Sequence, residues 1–439
     1  MTVRLSRRTS VAAAIAGAAS IALLASGCST GGGDDASGEA GEDVTLTVTT
    51  FGTFGYDDLY KEYEELNPGV TIKATNIDTG GNARTDAFTK IAAGSGLSDI
   101  VAIEEGWLGA IMDVSDQFVD LTEYGIADRK GDWVEWKYDQ ATDPEGRVIG
   151  YGTDIGPSGI CYNADAFAAA GLPTDRDEVA TLLDGDWENY FDVGRQYQAA
   201  TGKAWMDHSG FVWNAMVNQL PEGYYTSDGE LNVEGNTELQ GRFELLGSAV
   251  GDGLSAAQTA WDWNGGKSFL DGTFATLVCP GWMLGVAKGQ IEAGGGDADN
   301  GWDFADVFPG GPTNWGGAFL SIPETSQHKE AAAKLADWLT QPEQQVKQSA
   351  AAGNFPSTLN AQETLAAEAT PNEFFNDAPT GAILAERAVG IKAQYKGADD
   401  SVIQENVFGP PLQKLDRGEA TTQQAWDEAI SLLNSLVKQ

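Results

Sequence analysis

The chain of 439 residues has little of several features that would mark common protein classes. It has two histidines and three cysteines, and no spacing of these residues fits a zinc site. Lysine and arginine number 26 against 65 acidic residues, which gives a formal charge of −39. Phosphate recognition needs a basic surface, so this deficit excludes nucleic-acid binding as the main function and opposes docking on anionic lipid by charge.

Catalytic signatures are also missing. The sequence contains no Walker loop, no G-x-S-x-G nucleophile motif and no H-E-x-x-H pair. Paired carboxylates for glycan hydrolysis remain an alternative, because many acids are present, but no local spacing singles out one pair. We therefore expect a protein that is not an enzyme and that needs no cofactor and no metal.

One long hydrophobic run stands out, and it lies near the first residue. Three arginines precede the apolar stretch 11–25, which is shorter than the roughly 20 residues of a membrane span. Small residues followed by Cys28 resemble the bacterial lipobox, which predicts a signal peptide over 1–27 and palmitate or a related lipid on Cys28. Residues 28–43 are rich in Gly, Ser and acids and predict a flexible linker. We expect an exported body, anchored by lipid at the outer face of the cytoplasmic membrane, with general and twin-arginine export both open.

Hydrophobic residues make up 42% of the chain, and aromatic residues, including 13 Trp, make up 10%. Apolar residues recur at strand and helix spacing over residues 44–103, where they predict strand, helix, strand, helix, strand. This order predicts parallel βαβ units, which bind ligands at the carboxyl ends of their strands. The loops concerned are 51–56 and 104–107.

Two cysteines remain after Cys28, namely Cys161 and Cys279. Both lie in apolar, strand-like segments of a chain that we expect in an oxidising compartment. A disulfide requires the two strands to be neighbours, and two buried thiols fit the sequence equally well. Both alternatives stay open.

Motifs along the chain, taken in order, resemble the extracellular solute-binding proteins of ABC importers, family 1, which includes maltose-binding protein. The segments that carry the resemblance are Ala92-Ala93-Gly94 to Asp99-Ile100-Val101, Tyr162-Asn163 through Phe167 and Gly171-Leu172, Trp187-Glu188, Asn264-Gly265-Gly266-Lys267 through Gly281-Trp282, Gly316-Gly317, and Lys329-Glu330-Ala331-Ala332 through Trp338-Leu339. The resemblance extends from about residue 44 to the last helix. Ser98 and Thr276-Leu277 depart from the usual residues of the family.

The resemblance implies an α/β periplasmic-binding-protein-like fold with two lobes, each a mainly parallel sheet flanked by helices. Lobe 1 would comprise 44–153 plus 318–352, and lobe 2 would comprise 157–313 plus 357–439. The chain would cross a hinge near 154–156, 314–317 and 353–356. Closure of the lobes would then be driven by a ligand that contacts both of them.

The resemblance also implies the function: capture of a carbohydrate, expected to be an oligosaccharide, and delivery to ABC transporter permease subunits by a monomer. Aromatic rings suit sugar faces, and carboxylates and amides suit sugar hydroxyls. Two alternatives stay open, a non-sugar solute such as a polyamine and a secreted glycan-active enzyme.

Positions that match ligand-contacting positions of the family are the expected site residues. Each of them would also fit a solvent-exposed surface or an ordinary core. They are Glu104, Glu105, Asp154, His208, Phe211, Trp261, Trp263, Trp282, Trp315 and Asn354. Trp282 matches the stacking aromatic of the family best, and we expect at least one of Trp261 and Trp263 to face the cleft.

Overall fold

The computed structural model describes residues 43–438. The predicted signal peptide, Cys28 and residues 28–42 of the predicted linker lie outside the described residues. Within the described chain, no helix is both long enough and apolar enough to cross a membrane.

Eleven strands form the sheets of the described chain, several of them only two residues long. They are β1 (Val44–Phe51), β2 (Val70–Ile77), β3 (Ile100–Glu104), β4 (Tyr151–Gly152), β5 (Asp154–Ile155), β6 (Ser158–Asn163), β7 (Ala204–Met206), β8 (Phe274–Pro280), β9 (Trp302–Ala305), β10 (Ala318–Ser321) and β11 (Phe355–Pro356).

Helices surround these strands. They are α1 (Asp57–Leu66), α2 (Gly80–Ala93), α3 (Leu108–Met112), α4 (Glu135–Gln140), α5 (Ala164–Ala169), α6 (Arg176–Leu183), α7 (Trp187–Thr201), α8 (Ser209–Asn218), α9 (Thr237–Gly251), α10 (Lys267–Leu270), α11 (Gly281–Ala293), α12 (Lys329–Leu339), α13 (Pro342–Ala352), α14 (Leu359–Glu368), α15 (Thr380–Ala388), α16 (Asp400–Val402), α17 (Gly409–Asp416) and α18 (Thr422–Leu436). Short 3₁₀ turns span Glu105–Trp107, Ser115–Gln117, Leu121–Tyr124, Ile126–Asp132 and Glu373–Phe375, and a π-helical turn spans Ile403–Phe408.

Local sequence explains where several helices begin. Helix α1 buries Leu59 and Tyr63 on its apolar face. Helix α2 begins at Gly80, because Thr79 caps it by accepting from the amide of Asn82. Helix α12 starts at Lys329, and the hydroxyl of Ser326 just before it donates to Asp99 and accepts from the amide of His328.

The first sheet has the strand order β2-β1-β3-β10-β4. Strands β1, β2 and β3 pair in parallel, as predicted, whereas β10 is antiparallel to both of its neighbours. Strands β1 and β3 bury Leu46, Val48 and Ile103 completely, and helices α1 and α12 cover them to form the first of two hydrophobic cores. We call this part of the molecule the first lobe.

The second sheet has the order β7-β8-β6-β9 and belongs to a second core, in the second lobe. The expectation of a mainly parallel sheet is wrong here, because β6 is antiparallel to both β8 and β9 and only β7 and β8 are parallel. The reason is the route of the chain. Strands β6 and β10 each enter their sheet directly from the region between the two cores, so they run against the strands that return toward it.

Strands β5 and β11 form a two-stranded ribbon outside both sheets. Close backbone approach at this point depends on glycine. A Cβ on Gly156 would lie 1.8 Å from the carbonyl oxygen of Trp315, and Gly317 combines a φ of +108° with a Cβ position 2.5 Å from the carbonyl oxygen of Asp154. The Gly316-Gly317 pair of the sequence therefore lets segments of both lobes meet here. The lobe and hinge boundaries given above stay a prediction.

The structure contains a disulfide between Cys161 of β6 and Cys279 of β8, with Cα atoms 5.7 Å apart. The antiparallel register pairs Cys161 with Leu277 and Gly159 with Cys279, so the two cysteines are diagonal neighbours on one face of the sheet. This strand pairing decides between the two alternatives that the sequence left open.

Candidate functional site

Six ring side chains of the second lobe and the crossing segment form one continuous aromatic cluster. Phe211 of α8 lies at its centre, with ring centroids 4.2 Å from His208, 4.9 Å from Trp261 and 5.1 Å from Trp315. The remaining members are Trp263, 5.9 Å from Phe211, and Trp282, 5.2 Å from Trp315. All six residues are among the expected site residues, and the fold brings them together from four separate segments. We call this group the aromatic cluster.

The two tryptophans of the 261–263 segment have different surroundings. Trp261 is 44% exposed, and its ring also lies 6.0 Å from Trp282. Trp263 has no exposed surface and donates its indole N–H to the carboxylate of Asp207 at 2.9 Å. Both have positive φ, at 69° and 41°, a conformation that bulky residues rarely adopt. The burial of Trp263 therefore anchors a strained turn that presents the ring of Trp261.

Trp282 and Trp315 are held edge to face. The indole N–H of Trp282, at the start of α11, donates to the carbonyl oxygen of Trp315 at 2.7 Å, and their ring planes meet at 86°. Trp282 is partly exposed, whereas Trp315 is buried. Because a hydrogen bond fixes the Trp282 ring, its exposed part keeps one orientation at the edge of the aromatic cluster.

His208 caps helix α8 through its side chain. Its Nδ1 accepts from the amide of Gly210 at 3.0 Å, which fixes the ring. Its Nε2 lies 3.6 Å from Asp207, too far for a good hydrogen bond, and has no hydrogen-bond partner among residues 43–438. Burial raises the pKa of the Asp207 carboxyl, while the nearby His208 opposes that rise. Sequence reasoning missed Asp207, although it directly precedes His208.

On the first lobe, polar groups follow β3. Glu105 is buried, and its two carboxylate oxygens accept from Gln140 and from Asn314, each at 2.8 Å. Its neighbour Glu104 is partly exposed, and burial raises the pKa of Glu104 to about 8, with the charges of Glu105 and Glu405 adding to the rise. One of the two adjacent carboxylates is thus fully hydrogen-bonded, and the other is free to hold a proton near neutral pH.

Asp154 lies in β5 and is buried. Its carboxylate accepts from the hydroxyl of Thr153 at 2.6 Å and from the amide of Ala318 at 2.9 Å. Burial raises the pKa of Asp154, and the positive charge of Lys137 opposes that rise. The carboxylate therefore joins β5 to β10 next to Gly156 and Gly317.

Lys137 is the unexpected member of this group, because none of the expected site residues is a lysine or an arginine. It has no exposed surface, its ammonium lies 3.7 Å from the ring centre of Phe319, and no residue in the described range hydrogen-bonds to it. Burial lowers the pKa of Lys137 to about 8, although Asp154 and Glu105 oppose the shift. We call Glu104, Glu105, Asp154 and Lys137 the charged group.

A chain of hydrogen bonds connects the aromatic cluster with the charged group. The amide of Trp315 donates to the carbonyl oxygen of Gly156 at 2.9 Å, and the amide of Gly156 donates to the side-chain oxygen of Asn314 at 2.7 Å. Asn314 in turn donates to Glu105. Sequence reasoning missed Asn314, although its place directly before Trp315 was a usable signal. The two sides of the site are therefore joined at the crossing between the lobes.

Asn354, the last expected residue, is buried at the third crossing. Its amide donates to the carbonyl oxygen of Thr53 at 3.2 Å, in the loop after β1. This contact ties the 353–356 segment to a loop that was predicted to face the ligand. No group of three or more His, Cys, Asp or Glu side chains within residues 43–438 could hold a metal ion.

The chain is similar to known proteins. The profile of the family described as bacterial extracellular solute-binding protein matches residues 58–376. A crystal structure titled extracellular solute-binding protein family 1 shares 43% identity, covers 89% of this chain and 99% of its own, and superposes with a TM-score of 0.79.

Two curated proteins are also similar. The lactose-binding protein of Rhizobium radiobacter is 26% identical over 246 residues, 54% of either chain, so the match spans about half its length. The arabinooligosaccharide-binding protein of Bacillus subtilis (strain 168) is 25% identical over 342 residues, 71% of this chain and 72% of that protein.

Proposed function

The chain belongs to the bacterial extracellular solute-binding proteins, and from this premise we propose that it captures a carbohydrate between its two lobes and delivers it to an ABC importer permease. The observation that carries the proposal is the aromatic cluster, in which the exposed Trp261 and the partly exposed Trp282 lie beside the hydrogen-bonded crossing. Flat apolar rings next to carboxylates and amides match the apolar faces and the hydroxyls of a sugar. The names of the two curated relatives support an oligosaccharide as the ligand.

In this proposal the ten site residues have different tasks. Trp261 and Trp282 stack on sugar rings, and Trp315, Phe211, His208 and Trp263 support them from behind. Glu104 contacts ligand hydroxyls directly, because this residue is partly exposed. Glu105, Asp154 and Asn354 are already bonded within the protein and set the geometry of the crossing. The ligand stabilises the closed arrangement by contacting both lobes.

The test is calorimetric titration of the purified protein with lactose, arabino-oligosaccharides and maltose. We expect Trp282→Ala to raise the Kd for the bound sugar by roughly 10- to 100-fold, which is about 1.4–2.8 kcal/mol. Trp338→Ala is the matched control: that tryptophan is partly buried against Tyr63 in the core of the first lobe and does not belong to the aromatic cluster. Equal sugar affinity in both variants would refute the stacking role.

The same purified protein also serves to test the two alternative functions, polyamine binding and glycan cleavage. Spermidine and putrescine test a cationic solute, whose binding would require Glu104 to lose its proton. Binding of a polyamine without binding of any sugar would replace the carbohydrate in this proposal. Chromatography of the sugar after overnight incubation tests the glycan-active enzyme, since only an enzyme would consume intact ligand.

We also propose that the mature chain starts at Cys28, carries lipid there and is held at the outer face of the cytoplasmic membrane as a monomer. The support is the order of arginines, apolar stretch and small residues before Cys28. We expect Cys28→Ser to move the protein out of the membrane fraction, with loss of the lipid mass in mass spectrometry. An unchanged membrane fraction and an unmodified Cys28 in the wild type would refute the anchor. Light scattering on the detergent-solubilised protein checks the monomer.

A further inference from the structure

A segment of the second lobe, outside the three crossing segments, also contacts the first lobe. Residues 394–405, which we call the bridging segment, are fixed to the second lobe at two points. The side-chain amide of Gln394 donates to the carbonyl oxygen of Val217 at 2.6 Å, and the ammonium of Lys396 donates to Asn218 at 2.7 Å. The segment therefore moves as part of the second lobe.

On the opposite side the bridging segment packs against α3 of the first lobe with no side chain between the backbones. A Cβ placed on Gly109 would lie 2.3 Å from the carbonyl oxygen of Lys396 and 2.5 Å from that of Gly397. A Cβ on Gly397 would lie 2.5 Å from the ring of Tyr225 in the second lobe. Gly397 is thus enclosed between Tyr225 on its own lobe and Gly109 on the other.

Backbone conformation does not explain Gly109. Its φ is not positive, and it lies inside a helix, where alanine is the better helix former. The close approach of the two backbones is the remaining reason for a residue without a side chain at this position. The three atoms nearest to a methyl group here all belong to the peptide backbone of the bridging segment, so the methyl group would push the two backbones apart.

Charges of both lobes surround the contact. Lys396 is close enough for its positive charge to lower the pKa of Glu104, and it lies 3.4 Å from the buried carboxylate of Asp400. Further along, the carboxylate of Glu405 faces the first turn of α2, where a Cβ on Gly81 would lie 3.3 Å from Glu405 Oε2. Glu405 belongs to a π-helical turn, a form that is frequent at functional sites.

We propose that the Gly109–Gly397 contact is an interlobe latch, which holds the two lobes together before any ligand binds. The latch rests on the proposed function only in that the cleft it closes is the proposed carbohydrate site. It makes Gly109 and Gly397 positioning residues for binding, because they set the population of the closed arrangement that the ligand meets.

Hydrogen–deuterium exchange of the full chain without ligand tests the latch. In the wild type we expect slow exchange at residues 105–112 and 394–405, and Gly109→Val should raise exchange in both stretches by at least about ten-fold. Residues 80–84 are the decisive readout, because they face Glu405 and do not touch Gly109. Separation of the lobes exposes them too, whereas a purely local packing defect leaves them unchanged.

Gly289→Ala is the matched control, since it also lies within a helix and a Cβ there would meet open space. Gly397→Ala changes the second-lobe side of the latch, and we expect it to reproduce the result of Gly109→Val. Far-ultraviolet circular dichroism checks that each variant is folded. Unchanged exchange at 80–84 in both variants, or rapid exchange there already in the wild type, would overturn the latch. Because no sugar is added, these outcomes stand whether or not the carbohydrate proposal holds.

Discussion

The two sides of the candidate site are built on opposite principles. The aromatic cluster of the second lobe consists of rings held by other rings, and of its outer members Trp261 is exposed and Trp282 partly exposed. In the charged group, by contrast, the carboxylates of Glu105 and Asp154 are already hydrogen-bonded within the protein, Glu105 through both of its oxygens. An aromatic ring can pack against the protein on one side and against a ligand on the other, whereas a buried carboxylate must already be hydrogen-bonded within the protein before a ligand binds.

The aromatic cluster can therefore adapt to different ligands, whereas the charged group is fixed before a ligand binds. Stacked surfaces accept sugars of varied linkage, because dispersion and ring-face contacts have broad geometry. Hydrogen bonds from buried groups have narrow geometry, so they hold the crossing in one arrangement. The predictions below challenge this contrast, in order of decreasing effect.

The largest effect should follow from removal of the central ring. Phe211→Ala deletes a buried side chain that contacts four other rings of the aromatic cluster, and we expect a loss of about 3–5 kcal/mol in the free energy of unfolding. Urea unfolding followed by tryptophan fluorescence measures it. A loss below about 1 kcal/mol would mean that the cluster does not depend on its centre.

The disulfide should come next. Replacing Cys161 and Cys279 together by alanine removes a cross-link that spans 118 residues of the second lobe, and we expect a cost of about 2–5 kcal/mol. Calorimetry of the double variant should show the second lobe melting earlier than the first. If the melting temperatures of both lobes fall equally, the two lobes unfold as one cooperative unit and do not differ in stability.

A smaller effect should come from the link between the two sides. Asn314→Ala removes the donor to Glu105 and the acceptor for Gly156, and it leaves a buried carboxylate oxygen without its partner. We expect about 1–3 kcal/mol of lost stability. Asn314→Asp is the informative companion: it keeps the acceptor for Gly156 but places a second negative charge beside Glu105. Chemical unfolding of both variants at the same pH provides the comparison.

The smallest effect concerns the pH dependence of the charged group. Because the folded pKa of Glu104 is raised from 4.5 to about 8, the native state holds more protons than the unfolded state across that range. Stability should therefore fall as the pH rises from about 4.5 to 8, and the fall due to Glu104 should be complete above 8. Because Glu104 is partly exposed, screening by solvent reduces this loss of stability to about 1–2 kcal/mol. Glu104→Gln should flatten this part of the curve, and an unchanged slope would show that Glu104 is ionised throughout.

Much of the fold could be predicted because it depends on local patterns. The periodicity of residues 44–103 predicted the first three strands and the two helices between them. The capping box that Thr421 forms with Gln424 at α18 is equally local. Strand direction in the second lobe could not be predicted, because it depends on the side from which β6 enters its sheet.

The candidate site also combines features that the sequence predicted with features that it did not. The identity of the aromatic residues followed from motifs, yet nothing in the sequence distinguishes exposed Trp261 from buried Trp263 two positions later. Lys137 was missed because its surroundings come from Asp154, Glu105 and Phe319, which are distant in the chain. Burial and pairing of this kind arise only when separate segments meet.

By itself, the sequence determined the alternation of strands and helices, the aromatic residues available to the site and the acidic character of the chain, because propensity, spacing and charge are properties of neighbouring residues. The tertiary structure alone decided which rings keep an open face, that Cys161 pairs with Cys279, and that Gly109 meets Gly397. Each of these depends on long-range contacts, in which the position of one segment is fixed by the packing of another.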